Sequence, residues 1–344
     1  MRLRGIHLSV KTEKAERLLR IAAIVLALVS LAVLLFGFFT GAFFLIYQAN
    51  FLFLLLSIAC FLFSIAAWLF AWAFLVVKRK RMPFKRVFLA GCASVFGSLT
   101  PVQLGSDVLR GLFLKEEFNA PFSEGFSASL IVKGLKFSAL SLASLAFLFV
   151  VFFGQGFGSF AIPLFSGLFV VLLATLLFLL PLKKSMGCRI SRFFGLLSRK
   201  IPQLKPLEKY FLDYSDFLAQ FSGKALLATM LLAAISWILE FASLFFAFAS
   251  LSIEINLLSL SALFILLALL ERAPFLPHGI LLVESAGFAF LSMPLAGQPS
   301  LSLPEIGSVL ILYDISRLIF PSVASLCFYF WREKSRKGIT TARI

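Results

Sequence analysis

The chain has 344 residues, of which 61% are hydrophobic and 14% charged, and its mean hydropathy is +1.02. A soluble domain is about half apolar and a quarter charged, so this composition predicts a polytopic membrane protein. It excludes a disordered chain, a coiled coil, a secreted disulfide scaffold and a nucleic-acid-binding domain, even though the formal net charge is +16. The 44 Phe residues suit lipid-facing helices and leave 4 Trp and 5 Tyr for interfacial belts.

Six apolar runs are long enough to cross a bilayer as helices. They lie at about 18–40, 51–77, 126–152, 160–181, 225–250 and 306–330. Two further apolar stretches, 87–114 and 257–291, are interrupted by Pro, Gly and ionisable residues. Because proline breaks a helix and freed backbone groups cannot face lipid, we expect these two stretches to form broken or re-entrant hairpins.

The basic residues indicate a topology. Of the 32 Lys and Arg residues, 26 lie in the four clusters 2–20, 78–86, 183–224 and 332–343. None lies in the loops 41–50, 153–161, 251–256 and 292–305. If each hairpin enters and leaves on one side, the positive-inside rule predicts that both termini lie in the cytoplasm. We expect the membrane to be the plasma (cell) membrane. Such clusters also attract anionic lipid headgroups.

The order of these elements predicts an inverted repeat. Residues 15–155 read as span, span, hairpin and span, and residues 157–332 repeat that order from the other side of the membrane. This architecture is typical of secondary transporters, with the site near the midplane. We therefore expect one all-α integral membrane domain over 1–344. The second repeat carries an insertion at 183–222 whose basic and apolar residues at helical spacing predict an interfacial amphipathic helix, a solvated linker being the alternative.

The first hairpin contains the best local motif, which runs from Ser98 to Arg110 as SLTPVQLGSDVLR. Pro101 ends one half-helix and Gly105 permits a tight turn. Asp107 and Arg110 then lie on one face of the next helix, whose dipole favours the acid near its start. Arg110 offers a planar fork for a phosphate or carboxylate. Because charges inside a bilayer are costly, we favour a functional role over a purely structural pair.

The second hairpin has a similar motif. It carries Glu271, Arg272, Pro277, Gly279 and Glu284. A proline and glycine turn again precedes an acid, at nearly the spacing found before Asp107. This agreement between matching places in the two halves strengthens both motifs. Glu271 and Arg272 have an alternative role as a simple stop at the membrane interface.

The remaining spans carry single ionisable residues: Lys133, Lys136, Glu240, Asp314 and Arg317. The two lysines, three residues apart, either bind a headgroup phosphate or snorkel toward the cytoplasmic interface. The aspartate and arginine of the last span are expected to pair with each other or with hairpin charges. Glu240 lies deep in its span and needs a partner, for which Arg272 and Arg317 are candidates.

No catalytic residue, cofactor or metal site is predicted. His7 and His278 are the only histidines, and the four cysteines form no CxxC pair. The sequence has no Walker loop, no GxSxG elbow and no HExxH motif. A transporter is therefore favoured over an enzyme, although catalysis within the membrane stays open.

The same residues resemble the flippase-like membrane domain of the lysylphosphatidylglycerol synthase family. That family has a Pro-x-x-x-Gly-Gly-Asp-x-x-Arg pattern, which is matched here by Pro101, Gly105, Asp107 and Arg110, with Ser106 in place of one glycine. In the second half, the matching residues are Trp237 with Glu240, Pro277 with Gly279 and Glu284, and Arg317. His278 and Leu281 stand where the family usually has glycines, and Lys133 and Lys136 replace an arginine-containing signature.

The resemblance implies movement of a phospholipid or polyprenyl-linked lipid between leaflets. The two inverted halves would drive this movement without ATP, by alternating access. Asp107, Arg110, Lys133, Glu284 and Arg317 would form the polar path. The implied partners are membrane lipids with an anionic or phosphate-bearing headgroup, and no nucleic acid. The alternative is a membrane-embedded lipid-binding subunit or enzyme that works with a separate glycosyl- or aminoacyl-transferase. The soluble aminoacyl-transfer domain of full-length synthases is not among these residues, so lysyl transfer is not expected.

Overall fold

A computed structural model of the protein shows an all-helical integral membrane chain. It describes residues 24, 26–28, 30–31, 33–80, 82–99, 105–155, 172, 184–198, 214–271, 279, 282–292 and 301–341. Within these residues all regular secondary structure is helical. Four helices in this part of the chain are long and apolar enough to cross a membrane, namely Phe51–Lys78, Phe122–Phe147, Gly223–Ser250 and Leu303–Lys334.

The helices differ widely in length. In chain order they are α1 (Leu26–Thr40), α2 (Ala42–Tyr47), α3 (Phe51–Lys80), α4 (Phe84–Cys92), α5 (Gly105–Phe118), α6 (Phe122–Gln155), α7 (Lys184–Ser198), α8 (Gly223–Ser250), α9 (Leu257–Leu270), α10 (Leu282–Leu291), α11 (Leu303–Asp314) and α12 (Phe320–Thr341). A 3₁₀ turn over Val95–Leu99 follows α4, and a π-helical segment over Ile315–Ile319 joins α11 to α12.

Four of the six predicted spans are confirmed. Those at 51–77, 126–152, 225–250 and 306–330 are α3, α6, α8 and the continuous α11–α12 helix. The described part of the span predicted at 18–40 is the shorter helix α1. The span predicted at 160–181 lies outside the described residues, apart from residue 172. The total of six full spans therefore stays a prediction.

Both predicted hairpins are interrupted helices, as their Pro and Gly content indicates. In the first, α4, the 3₁₀ turn and α5 follow one another; in the second, α9 and α10 flank Gly279. Gly279 has φ +63, and a Cβ there would meet the carbonyl oxygen of Leu270. Only glycine tolerates both conditions at this turn. Re-entry of the hairpins into the membrane stays a prediction.

The start of α5 is positioned by a close backbone contact. A Cβ on Gly97, in the 3₁₀ turn, would lie 2.7 Å from the carbonyl carbon of Gly105 and 2.7 Å from the amide nitrogen of Ser106. The absence of a side chain therefore lets the turn pack directly against the first residues of α5. This contact holds the segment that carries Asp107, which is fully buried.

The insertion at 183–222 contains a helix, as predicted, over Lys184–Ser198. Its exposed residues include Phe193 and Leu196 beside Arg189 and Arg192. These four residues have i, i+3, i+4 and i+7 spacing and so share one face. Exposed apolar and basic side chains on one face suit a helix that lies in the headgroup region of a bilayer.

The packing divides the chain into two compact units. Unit 1 consists of Met1–Leu62, Ala93–Leu109 and Ala242–Ile344, whereas unit 2 consists of Phe63–Cys92 and Arg110–Phe241. Each unit contains residues of both predicted repeats. The two units therefore do not correspond to the two repeats, and the inverted repeat stays a prediction. Unit 2 has its core around the fully buried Trp72, packed with Leu75, Val87, Ile131 and Phe217.

Candidate functional site

Buried ionisable side chains form two clusters, each within one compact unit. The tryptophan cluster of unit 2 consists of Arg110, Lys136 and Glu240 with Trp68, Trp72 and Trp237. The acidic cluster of unit 1 consists of Glu271, Glu284, Asp314 and Arg317. Both clusters lie on or beside the predicted hairpins and membrane spans, where an ionised group is costly unless it has partners.

Lys136 of α6 and Glu240 of α8 form a buried ion pair. The Lys136 ammonium donates to Oε1 of Glu240, and the two side chains are only 9% and 4% exposed. The hydroxyl of Ser64 on α3 donates to the same oxygen at 2.8 Å, and that of Ser236 does so at 3.4 Å. The two hydroxyls also lie 3.0 Å apart, so the one hydrogen of Ser236 is shared between Ser64 Oγ and the carboxylate. The ammonium and the Ser64 hydroxyl are then the full donors to this oxygen, and they offset the desolvation of the charge.

Both cations of the tryptophan cluster lie against indole rings. The Lys136 ammonium is 4.4 Å from the ring centroid of Trp237 and 5.8 Å from that of Trp68. The Arg110 guanidinium carbon is 4.2 Å from the Trp68 centroid and 5.7 Å from that of Trp72. Trp68 therefore contacts both cations. Each such contact contributes about 0.5–2 kcal/mol, with the higher value for desolvated sites such as this one.

The indole N–H groups are used differently. Trp237 Nε1 donates to the backbone oxygen of Lys136 at 2.8 Å, and Trp72 Nε1 donates to that of Gly125 at 3.0 Å. These bonds attach both tryptophans to α6. Trp68 Nε1, by contrast, is buried and has no hydrogen-bond partner among the described residues. A buried indole N–H is normally paired with an acceptor. The Trp68 N–H is therefore available to an acceptor that binds beside the two cations.

Two glycines bring Arg110 close to α6. A Cβ on Gly111 would lie 2.7 Å from the Phe122 ring, and one on Gly125 would lie 3.1 Å from the backbone oxygen of Arg110. Because neither has a side chain, α5 and the start of α6 pack backbone to backbone. Arg110 Nη1 then donates to the hydroxyl of Ser129 at 3.2 Å. The small residues therefore determine where the guanidinium lies.

The acidic cluster is centred on Arg317. Its Nε donates to Oδ1 of Asp314 at 2.7 Å, and its Nη2 donates to Oε1 of Glu284 at 2.7 Å. Glu271 lies within electrostatic range of the same guanidinium. The arginine side chain is 0% exposed, whereas that of Glu284 is 17% exposed. The guanidinium therefore makes two short charge-assisted bonds to acids on different helices.

A π-helical segment places Arg317 in this position. Pro321 has no N–H, so the carbonyl of Arg317 lacks the donor that an α-helix would supply four residues later. The chain instead adopts i to i+5 bonding, and the N–H of Phe320 donates to the oxygen of Ile315. Single π turns within α-helices are frequent at functional sites. The sequence signal for this one was the proline four residues after the arginine.

The structure brings together two separate subsets of the predicted site residues. Arg110, Lys136 and Glu240 lie together in unit 2, and Glu284, Asp314 and Arg317 lie together in unit 1. The prediction that Asp314 and Arg317 pair with each other or with hairpin charges is confirmed on both counts. Lys133 is half-buried one turn before Lys136. Pro101, Arg272 and Pro277 lie outside the described residues, and a single polar path stays a prediction.

Snorkelling was one alternative for Lys136, and the position of this residue relative to the membrane interface stays a prediction; its side chain is 9% exposed and lies in the ion pair. One expectation needs correction. The sequence suggested Arg272 or Arg317 as the partner of Glu240, whereas in the structure Glu240 pairs with Lys136. The reason is that helices α6 and α8 face each other with the two charges at the same level.

Three of the 4 Trp residues, which the sequence left for interfacial belts, lie in the tryptophan cluster. Their position relative to the bilayer stays a prediction. Trp68 and Trp72 are four residues apart in the second half of α3, so they share one face. That spacing was the available signal for a shared cluster. The serine donors Ser64, Ser129 and Ser236 had no comparable signal.

The described residues include no group of three or more His, Cys, Asp or Glu side chains suited to hold a metal ion. No curated protein and no solved structure matches the chain. The family model described as the lysylphosphatidylglycerol synthase TM region does match it, over residues 17–325, and this range includes both clusters. The chain therefore belongs to the family of the lysylphosphatidylglycerol synthase transmembrane region, as the hairpin motifs predict.

Proposed function

We propose that the protein moves a phospholipid or a polyprenyl-linked lipid between membrane leaflets without ATP, and that the tryptophan cluster binds its phosphate-bearing headgroup. The observation that carries this proposal is the burial of two cations, Arg110 and Lys136, on indole faces of an integral membrane protein. Ionised residues buried within a membrane domain are costly and are retained chiefly for function.

The chemistry of the tryptophan cluster suits a phosphate. The planar guanidinium of Arg110 can donate two parallel hydrogen bonds to phosphate oxygens, and the ammonium of Lys136 adds a compact charge. A cation–aromatic contact uses the face of the ring and does not itself occupy the N–H donors of the guanidinium or the ammonium. A headgroup can therefore bind without displacing the rings that hold the two cations.

Helix α3 separates this cluster from lipid. Phe63 and Phe70 are exposed, lie seven residues apart and so share one face of the helix, whereas Trp68 and Trp72 lie on the opposite side. An apolar outer face, with buried cations against the tryptophans of the inner face, suits a transporter that passes the headgroup through protein while the acyl chains stay in the bilayer.

The test is leaflet exchange in proteoliposomes that contain the purified protein and no nucleotide. Fluorescent phosphatidylglycerol, phosphatidylcholine and a polyprenyl phosphate are compared, with protein-free liposomes as the control. We expect exchange of the anionic lipids to exceed both the control and the phosphatidylcholine rate. Absence of exchange for every lipid would contradict the proposal. Binding without exchange would favour the alternative, a lipid-binding subunit of a separate transferase.

The proposed topology has cytoplasmic termini. The loops 41–50, 153–161 and 292–305 would lie outside, and 78–86 and 183–222 inside. Single cysteines in these segments, in a background without Cys60, Cys92, Cys188 and Cys327, can be labelled with an impermeant maleimide from one side. External labelling of 183–222 would overturn the inverted repeat, because the two halves could not then have opposite orientations.

A further inference from the structure

The Lys136–Glu240 ion pair can open without leaving either residue unsupported. Glu240 Oε1 also accepts from Ser64 at 2.8 Å. The Ser236 hydroxyl lies 3.0 Å from Ser64 Oγ and 3.4 Å from Glu240 Oε1, so its one hydrogen can turn to the carboxylate if the ammonium departs. Lys136 stacks on Trp237 at 4.4 Å, and this contact does not depend on the carboxylate. Each residue therefore keeps local partners when the pair opens.

A second observation points to an external anion. Trp68 Nε1 is buried without a hydrogen-bond partner in the described part of the chain, and its ring is shared by Arg110 and Lys136. Most buried donors are paired in native proteins. An oxygen of a bound anion would supply the missing acceptor beside two positive charges. No protein carboxylate of the cluster serves the indole in this way.

We propose that the Glu240 carboxylate occupies the position on Lys136 that the substrate's phosphate takes when the lipid binds. The phosphate then replaces the carboxylate on Lys136 and accepts a hydrogen bond from the Trp68 N–H. This inference rests on the proposed function, in that it takes the tryptophan cluster as the headgroup site. The exchange keeps one negative charge on Lys136. The displaced carboxylate, left with two neutral hydroxyl donors, favours return of the ammonium. Return of the ammonium therefore releases the substrate. The proposed substrate class is a lipid whose phosphate-bearing headgroup has a net negative charge.

The tryptophans themselves supply the assay. Trp331 is 53% exposed and is the only tryptophan of the chain outside the cluster. In a Trp331→Phe background, indole emission therefore reports on the cluster alone. The purified protein in detergent is titrated with short-chain phosphatidylglycerol, short-chain phosphatidylcholine and inorganic phosphate. We expect a saturable change with phosphatidylglycerol at concentrations where the other two have no effect.

The decisive variant is Glu240→Gln, which keeps the shape and the serine hydrogen bonds but releases Lys136. If the open pair is present in about one molecule in ten, the apparent affinity for phosphatidylglycerol should rise about tenfold. Lys136→Gln should abolish the response. Glu254→Gln removes an exposed carboxylate and serves as the matched control, with unchanged affinity expected. Unchanged or weaker binding by folded Glu240→Gln would overturn the proposal.

Ser64→Ala covers the case in which Glu240→Gln does not fold. It removes one donor from the displaced carboxylate, so the open state becomes less favourable and phosphatidylglycerol affinity should fall a few-fold. Unchanged affinity of Ser64→Ala would overturn the proposal equally.

The proposed lipid transport and the proposed role of Glu240 can be rejected independently of each other. Tighter binding by Glu240→Gln without leaflet exchange supports the internal anion and rejects transport, whereas exchange with unaltered binding rejects the internal anion alone. An equal response to inorganic phosphate and phosphatidylglycerol would keep the role of Glu240 but identify a free phosphate as ligand, against the proposed function.

Discussion

The two clusters each bury an arginine completely but stabilise it in different ways. Arg110 lies against the ring of Trp68 at 4.2 Å and donates to a serine hydroxyl. Arg317 lies between two carboxylates, with both donor distances at 2.7 Å. Aromatic faces stabilise a cation while its hydrogen-bond donors point elsewhere, whereas paired carboxylates occupy those donors. The first arrangement suits a site that binds an anion, and the second suits a permanent link between helices.

Lys136 combines both arrangements, since it has an indole contact and a carboxylate partner. Lys136 therefore belongs with Arg110 in the arrangement that suits anion binding, and Glu240 is the partner that a bound anion would replace. The guanidinium carbon of Arg317 is 5.6 Å from the ring centroid of Tyr313, a longer distance than that from Arg110 to Trp68. Changes at Arg317 should then act mainly on stability, and changes in the tryptophan cluster mainly on lipid binding.

The largest expected effect comes from Arg317→Met. The substitution leaves the buried Asp314 and the partly buried Glu284 without their cation, which should lower the free energy of unfolding by about 3–5 kcal/mol. Fluorescence-detected size exclusion after stepwise heating in detergent measures the loss. Arg317→Lys is the matched control and should lose less, because it keeps the charge but not the fork. A variant Arg317→Met as stable as wild type would show that the acidic cluster is not a structural link.

The hairpin of the acidic cluster should be rigid at Gly279. Gly279→Ala combines a left-handed residue, at φ +63, with a clash against the Leu270 carbonyl, so a stability loss of about 1–3 kcal/mol is expected. Gly223→Ala is the matched control, since nothing lies within 4 Å of the added methyl group. Equal melting temperatures for both variants would mean that the hairpin relaxes around the methyl group.

Sequence patterns predicted the helices better than the partners of the charges. Length and hydropathy suffice for α3, α6 and α8, because a span is a local property of the chain. The pairing of Asp314 with Arg317 is also local, at i and i+3. The partner of Glu240 is 104 residues away, and its choice depends on how α6 and α8 pack. One sequence contains no direct record of such tertiary contacts.

Arg110→Lys tests the functional side of the comparison. Lysine keeps the positive charge but loses the planar fork and its stacking on Trp68. We expect exchange of an anionic lipid to fall about tenfold, which corresponds to about 1.4 kcal/mol, with a smaller loss of stability than in Arg317→Met. Proteoliposome rates, normalised to folded protein, give the answer. Normal exchange by Arg110→Lys would limit this residue to a simple charge role.

The smallest expected effect separates two tryptophans of the same cluster. Trp237→Phe and Trp72→Phe each lose one indole hydrogen bond to α6, of 2.8 Å and 3.0 Å, which should lower stability by about 0.5–1.5 kcal/mol. Trp72→Phe should lose the same amount or more, because Trp72 is fully buried in the core of unit 2.

Only Trp237 stacks closely on the exchangeable cation, at 4.4 Å from the Lys136 ammonium. Phenylalanine is a weaker cation–aromatic partner than tryptophan, so Trp237→Phe should weaken the support of Lys136 in the open pair. The affinity for short-chain phosphatidylglycerol, measured by titration calorimetry, should then fall about two- to threefold in Trp237→Phe and stay unchanged in Trp72→Phe. If both variants lose affinity in proportion to their loss of stability, the indole contacts hold the helices together and take no part in lipid binding.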